Sequence, residues 1–394
     1  MRISEKQNRH TIAGILDEKR LDRDWDHWRN VLEEVTAKDV EDALAGQAGV
    51  YSLDKLAALT SPAAAGYLEP MAQMARELTI QRFGRVIKLY APLYLSSFCC
   101  NSCKYCGFNT QTHFERCRLT IEQGEKEADI IASEGFRDLL LVSSEDPKYI
   151  NVEYLSELSR RLRNKFSSIS IEINQQSRED YARLFQAGID GVTIYQETYN
   201  RQVYDGYHPA GPKADYDRRL TAADDVCAAG MREIGLGALL GLADWRIETL
   251  ALAEHAHHLM KRYWQSHVSF SFPRLRPAFD VDRDRFPHLL GDADLVQMLL
   301  ALRLCFADAG MVISTRESGR LRDNLVSMGI TKMSAGSKTN PGGYSEEGKS
   351  TGQFEIDDKR TPQEVSAMIA DKGFEPVWKD WDAGFMADQQ GSIR

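Results

Sequence analysis

The alternation of apolar and polar positions changes character at Val86. Before it, "DWDHWRNVLEEV" and "SLDKLAALTSPAAAGYLEPMAQMARELTIQRFG" place apolar residues three and four apart, the spacing of one helical face, with Pro62 and Pro70 as punctuation. After it, apolar runs too short for helices alternate with helical patterns. "VIKLYAPLYL" precedes a helix at 120–135, "DLLLVSS" one at 152–166, "SISIEIN" one at 178–188 and "GVTIYQ" one at 215–230. "REIGLGALLG" leads to a helix at 246–263, "HVSFSFPRL" to one at 294–309 and "MVISTRE" to one at 318–328, and "ITKMSAG" is the last run. Strands separated by helices pair in parallel through right-handed crossovers. Eight such units over about 250 residues predict an α/β fold of the TIM type, a (β/α)8 barrel. The expected organisation is a helical extension at 1–85, the barrel at 86–345 and a C-terminal segment at 346–394. That last segment opens on the polar loop "YSEEGKSTGQFEIDDKR" and continues through the helical "TPQEVSAMIADKGF". Trp378 and Trp381 near its end predict that it docks on the barrel, because aromatic burial needs a surface.

Composition narrows the partners. With 43% hydrophobic and 27% charged residues the chain has the make-up of a soluble globular protein. No apolar run is long enough to cross a bilayer and Met1–Ile15 lacks a signal peptide's apolar stretch, so a cytoplasmic location is expected, with no membrane partner. The net charge is −9 and no lysine- or arginine-rich run offers a face for phosphates, which disfavours nucleic acid. Seven cysteines in a reducing compartment do not make a disulfide framework. Cys117, Cys227 and Cys305 are isolated and read as buried, inert thiols. His255, His257 and His258 share a helix and read as a solvated face.

The other four cysteines crowd into "FCCNSCKYC", residues 98–106, directly after the first strand. Cys99, Cys103 and Cys106 have the spacing C-x-x-x-C-x-x-C, with Cys100 inside the first gap. Structural zinc takes four closed ligands, usually two pairs, and no second C-x-x-C exists. A thioredoxin-like pair, Cys103 with Cys106, leaves Cys99 unexplained. Three thiolates on a [4Fe–4S] cluster leave one iron open to a small chelator carrying an amino and a carboxylate group. This spacing, with Tyr105 before the last cysteine and the loop following a first barrel strand, resembles the signature of the radical S-adenosylmethionine enzymes. The resemblance implies a radical-SAM barrel, a [4Fe–4S] cluster on Cys99, Cys103 and Cys106, and S-adenosyl-L-methionine as the second cofactor. Cys100 is then a bystander.

In a barrel of this type the functional groups gather at the C-terminal ends of the strands. Strand two ends at Ser143 and Glu145, with Ser144 between. Strand three carries Glu172 between Ile171 and Ile173, a costly position for a carboxylate unless it is paired or functional. Strand four ends at Gln196 and Glu197, and Arg219 opens a following helix. The glycines of "GLGALLG" run G-x-G-x-x-x-G, one residue too long for a dinucleotide fingerprint, and Leu239 lies between Gly237 and Gly241. Strand seven ends at Arg316 and Glu317, the guanidinium suiting bidentate capture of a carboxylate. Strand eight runs into a polar loop with Ser334, Gly336 and Ser337. The resemblance places Tyr105, Ser143, Glu145, Glu172, Gln196, Glu197, Arg219, Leu239 and Ser334 around the adenosyl cofactor, and Arg316, Glu317 and Gln196 as the catalytic candidates.

Eight segments extend the likeness: "SPAAAGYLEPMAQMA", "LYAPLYLSSFCCNSCKYCGF", "IYQETY", "IGLGALLGL", "SFPRLRP", "STRES", "SAGSKTNPGGY" and "PVWKDWD". Together they resemble the tyrosine lyases of bacterial thiazole synthesis, the 2-iminoacetate synthases of the thiamine pathway, over residues 30–382. That family cleaves L-tyrosine between Cα and Cβ to p-cresol and 2-iminoacetate. The resemblance implies tyrosine as substrate, with Arg316 on its carboxylate, a flavodoxin or ferredoxin as electron donor and a thiazole synthase as protein partner. The related lyase of [FeFe]-hydrogenase maturation carries further C-terminal cysteines, and this sequence has none after Cys305, which favours the thiazole branch. Two other readings stay open: a radical lyase acting on tryptophan or another amino acid, and a non-catalytic iron–sulfur scaffold or sensor.

Overall fold

A computed structural model of the chain describes residues 10–345 and 351–379. Eight parallel strands form its centre: β1 (Val86–Ser96), β2 (Asp138–Ser143), β3 (Ser168–Glu172), β4 (Gly191–Glu197), β5 (Glu233–Ala238), β6 (His267–Ser271), β7 (Gly310–Ile313) and β8 (Lys332–Ser334). Each hydrogen-bonds to the next, β8 returns to β1 and β1 also pairs with β2, so the sheet closes into a barrel. This is the predicted (β/α)8 architecture, with every strand lying within its predicted run or one residue beyond it.

The sequence shows why. β1 is buried on both faces from Ile87 onward, so it reads as an unbroken apolar run without alternation. Outside the strands lie α6 (Ile121–Ser133), α7 (Val152–Leu162), α8 (Arg178–Gln186), α9 (Arg201–Tyr207), α10 (Tyr216–Ala228), α11 (Trp245–Arg262), α12 (Asp292–Cys305) and α13 (Gly319–Leu325), numbered after five helices of the N-terminal extension. Helix α6 starts on a reciprocal cap: the Gln123 backbone N–H donates to Thr120 Oγ1 at 3.2 Å and the Thr120 N–H to Gln123 Oε1 at 2.8 Å. Within β5 the glycines make room. A Cβ on Gly237 would lie 2.8 Å from the Tyr195 ring, so the missing side chain is what lets Tyr195 cross from β4 into the barrel. At the opposite end, Asp138 takes Lys88 at 2.7 Å and Lys332 at 3.0 Å, a buried ionic plug across three strands.

Five helices precede the barrel: α1 (Ile12–Glu18), α2 (Trp25–Glu34), α3 (Ala37–Ala45), α4 (Leu53–Thr60) and α5 (Leu68–Phe83). One hydrophobic cluster runs from Ile12 through the barrel to Phe374, so the extension shares the barrel's core. Polar anchors add direction, since buried Glu254 on α11 accepts from Lys19 at 2.5 Å and Tyr51 at 2.6 Å. The histidines of α11 depart from the solvated face the sequence suggested. His255 and His258 are buried, His255 Nδ1 lying 2.9 Å from the Tyr199 hydroxyl and His258 Nε2 2.9 Å from Asp224. They face the core because α11 is covered by the N-terminal helices.

The C-terminal segment docks through an element the sequence pattern did not reveal. After α14 (Pro362–Asp371), a ninth strand, β9 (Glu375–Val377), pairs in parallel with the start of β1, Val86 opposite Glu375. Trp378 then packs edge-on against Phe136 at 5.1 Å. Trp381 lies outside the described residues. Upstream, 351–360 crosses the barrel mouth, where the Gln353 N–H donates to Thr339 O at 3.0 Å and the Asp357 N–H to Thr315 O at 3.0 Å. No helix among the described residues is long and apolar enough to cross a membrane.

Candidate active site

The cysteine loop leaves β1 at the C-terminal face and is strapped on both sides. The Ser144 hydroxyl, between the two functional candidates of β2, donates to the carbonyls of Ser96 at 2.8 Å and Phe98 at 2.7 Å. The Cys100 N–H donates to Glu145 O at 3.0 Å. From the other side, Ser102 and Lys104 donate to the carbonyls of Ala210 and Tyr207, both at 3.1 Å. Arg116 closes the base, donating to the carbonyls of Phe108 at 2.8 Å and Thr112 at 3.1 Å. A loop with so many partners holds its thiols in fixed directions.

Cys99, Cys103 and Cys106 line one wall of a cavity enclosing about 900 Å³ and open to solvent. Cys100 is exposed and does not line it. Burial pushes the Cys103 thiol up to about 12, against the pull of the nearby Lys213 ammonium. Burial likewise raises Cys106, and Cys99 adds to the effect. Cys103 and Cys106, made hard to ionise by burial, need a compensating positive charge if they are to act as thiolates.

The facing walls bring together most of the predicted residues: Tyr105, Ser143, Glu145, Glu172, Glu197, Arg219, Leu239 and Arg316. Arg219, in the first turn of α10, donates its Nε–H to Tyr195 O at 2.9 Å and stands 4.0 Å from Glu145. Glu197 takes the Lys213 ammonium at 2.6 Å, and although burial raises its carboxyl, Lys213 and Arg219 together hold it below the usual range. Glu197 adopts φ of 69°, in the left-handed region, where β4 shifts register against β5. The shift turns both Tyr195 and Glu197 inward. Glu172 has no hydrogen-bond or ion-pair partner among the described residues, and burial raises it to about 7 against the pull of Arg316. The Arg316 guanidinium lies 3.5 Å from the Phe354 ring centroid.

A second space of about 560 Å³ continues into the barrel, sharing Val142, Glu172, Tyr195, Pro273, Arg316 and Phe354 with the first. It is lined with hydroxyls, from Tyr90, Tyr94, Ser271, Ser314, Thr315, Ser337 and Thr339. Glu172 and Arg316 therefore stand at the junction of the two.

Three expectations need correction. Glu317 is fully buried and lines neither space; in the turn after β7 it lies behind the wall that Arg316 lines, where it pairs with Arg274. Gln196 is also absent from both linings, because strand alternation gives the cavity to its neighbours Tyr195 and Glu197 and turns its own amide away, where neither amide atom finds a partner. Ser334 lines the inner space rather than the cysteine cavity, and its Oγ accepts from the Thr315 N–H at 3.0 Å. Sequence reasoning missed Lys213, His208, Gln353 and Phe354. His208 Nδ1 lies 2.8 Å from Tyr204 O and its Nε2 2.8 Å from the Tyr105 hydroxyl, and burial lowers the ring to about 4, so a neutral imidazole accepts from Tyr105. Lys213 lies beyond a short helix in the connection after β4, and Gln353 and Phe354 come from a loop, so none of them carried a local signal.

The donor set can be tested against the group its spacing suggests. No set of three or more His, Cys, Asp and Glu side chains among the described residues is placed to hold a single metal ion. A polynuclear cluster instead takes each thiolate on a separate iron. The thiols receive N–H groups of the kind that settle such a cluster: Asn101 N–H on Cys99 at 3.5 Å and Phe108 N–H on Cys106 at 3.4 Å. Opposite them, carboxylates and guanidinium groups suit an ammonium and a carboxylate carried by one small molecule, so the residues fit both cofactors.

A closed parallel barrel with three cysteines on its first C-terminal loop defines the radical SAM class, and the Radical SAM superfamily profile matches residues 93–253. The Biotin and Thiamin Synthesis associated domain matches residues 271–375. The chain is 43% identical to the 2-iminoacetate synthase of Salmonella typhimurium, covering 91% of this chain and 95% of that one. It is 42% identical to the 2-iminoacetate synthase of Escherichia coli over the same shares. It therefore belongs to the 2-iminoacetate synthase family. Among solved structures, HydG, a maturase of the [FeFe]-hydrogenase, superposes with a TM-score of 0.85 at 32% identity, covering 92% of this chain and 80% of HydG. Methylornithine synthase shares the fold, with a TM-score of 0.68 at 18% identity over 86% of this chain and 97% of that one.

Proposed function

We propose that this chain is a tyrosine lyase: it cleaves the Cα–Cβ bond of L-tyrosine to 2-iminoacetate and p-cresol, while S-adenosylmethionine is reductively cleaved to 5′-deoxyadenosine and methionine. The observation that carries this is the junction of the two spaces, with three thiols on the outer wall and Arg316 between. Cys99, Cys103 and Cys106 would hold a [4Fe–4S] cluster, which together with bound S-adenosylmethionine would supply one-electron reduction and radical chemistry.

The chain's own residues bind, orient and exclude water. Glu145, Glu172, Glu197 and Arg219 hold the charged end and ribose of the adenosyl cofactor, and Leu239 offers an apolar face to its base. Lys213 keeps Glu197 ionised inside a dry wall. Arg316 presents its fork to the tyrosine carboxylate, with the flat side of the guanidinium spent on Phe354. That places the substrate's aromatic ring in the hydroxyl-lined inner space, with the amino group beside the junction. Phe354 and Gln353 roof the site, so water and stray hydrogen donors are kept from the reacting atoms. A thiazole synthase that takes up the unstable imine and a reduced flavodoxin or ferredoxin are the expected partners, to be sought by co-purification and by reductant exchange.

The test is product analysis of the anaerobically reconstituted protein with tyrosine and reductant. Equal amounts of p-cresol and 5′-deoxyadenosine are expected. Absence of p-cresol overturns the reading, and an indole product from tryptophan in its place would reassign the substrate.

A further inference from the structure

Cys99 and Cys106 are each served by nearby N–H groups, but one donor comes from far away in the chain. Gln353 Nε2 lies 3.8 Å from Cys106 Sγ, across 247 positions of sequence. The other donors to these sulfurs are local: Asn101 N–H and Nδ2 on Cys99, at 3.5 and 3.8 Å, and Phe108 N–H on Cys106 at 3.4 Å. The Gln353 amide is held in one orientation. Tyr94, from the end of β1, donates its hydroxyl to Gln353 Oε1 at 2.9 Å. With the phenol donating to the amide oxygen, the NH2 is left for the sulfur. The backbone fits the approach as well, since a Cβ on Gly107 would stand 3.0 Å from Gln353 O. Gln353 lies outside the segment matching the Radical SAM superfamily profile.

We infer that Gln353 is a positioning residue for the iron–sulfur cluster: its amide donates to the Cys106 sulfur, withdraws electron density from it and so raises the cluster's reduction potential, with Tyr94 locking the amide in place. The inference rests on the ligation assigned under Proposed function. Hydrogen bonds to cluster sulfurs make the more negative, reduced state easier to reach.

The test is the midpoint potential and EPR spectrum of the anaerobically reconstituted cluster, without S-adenosylmethionine, in the wild type, Gln353→Met and Tyr94→Phe. At wild-type iron and sulfide content, Gln353→Met shifts the potential negative and alters the g-values, and Tyr94→Phe shifts it in the same direction by less. An unchanged potential in Gln353→Met at full iron content overturns the inference. If Gln353→Met fails to retain iron, Tyr94→Phe decides, and an unchanged potential there overturns it. Failure of the underlying ligation shows differently, as a wild-type protein whose cluster EPR does not respond to S-adenosylmethionine.

Discussion

Single residues at the junction carry the chemistry that can be tested most sharply. Arg316→Ala removes the only junction guanidinium shared by the two spaces among the described residues. Loss of a charge-assisted bidentate contact costs about 2–4 kcal/mol, so KM for tyrosine should rise roughly a hundredfold, while cluster content and 5′-deoxyadenosine formation without tyrosine stay near wild type. Glu172 makes a pH prediction. Its carboxyl is raised to about 7 by burial, so the folded protein binds that proton more readily than the unfolded chain. The associated stability is fully present below the ordinary carboxylate value and is lost as pH rises through about 7. Glu172→Gln should therefore stabilise the cofactor-free protein by on the order of 1–2 kcal/mol above that pH and by nearly nothing in acid, read from denaturant midpoints against pH. The cysteines, Arg316 and Glu172 were legible in the sequence because each breaks a local pattern. Gln196 was misplaced because it sits between Tyr195 and Glu197, and strand alternation gives the cavity to those neighbours; Glu317 was misplaced because it lies in the turn after β7, where no strand period applies.

At the scale of elements, the crossing segment 351–360 is held by a buried ion pair whose partner is well separated in sequence. Arg322, on α13, is wholly buried and pairs with Asp358, which also takes Arg360 Nε at 2.9 Å. Removing one member leaves a charge buried without compensation, at a cost of about 3–5 kcal/mol. Asp358→Ala should lower the unfolding free energy read from denaturant curves by an amount in that range, and replacing Arg360 alone should cost much less, because Arg360 is partly exposed and Arg322 keeps its partner. The strands and helices themselves were readable from periodicity, since each βα unit is long enough to show its own repeat. The three-residue strand β9 was not, because three residues show no period and its partner edge lies at the start of β1.

Across the whole molecule, helical extension, barrel and tail share one hydrophobic cluster, so they stand or fall together. A chain ending at residue 345 loses β9, the cover over Phe136 and the Asp358 anchor at once. It should unfold at a lower denaturant concentration than any of the point variants, and the crossing loop's loss should leave the cluster bleaching faster in air. The amino-acid sequence alone determined the class of barrel, the three-thiol loop and the strand ends on which function sits, because spacing and periodicity are local properties of a chain. Tertiary structure alone decided which strand-end residues face the cavity, that Lys213 neutralises Glu197, and that Gln353 and Phe354 roof the site. Those are contacts between segments as much as 259 positions apart, set by barrel closure and strand register, and no local pattern encodes them.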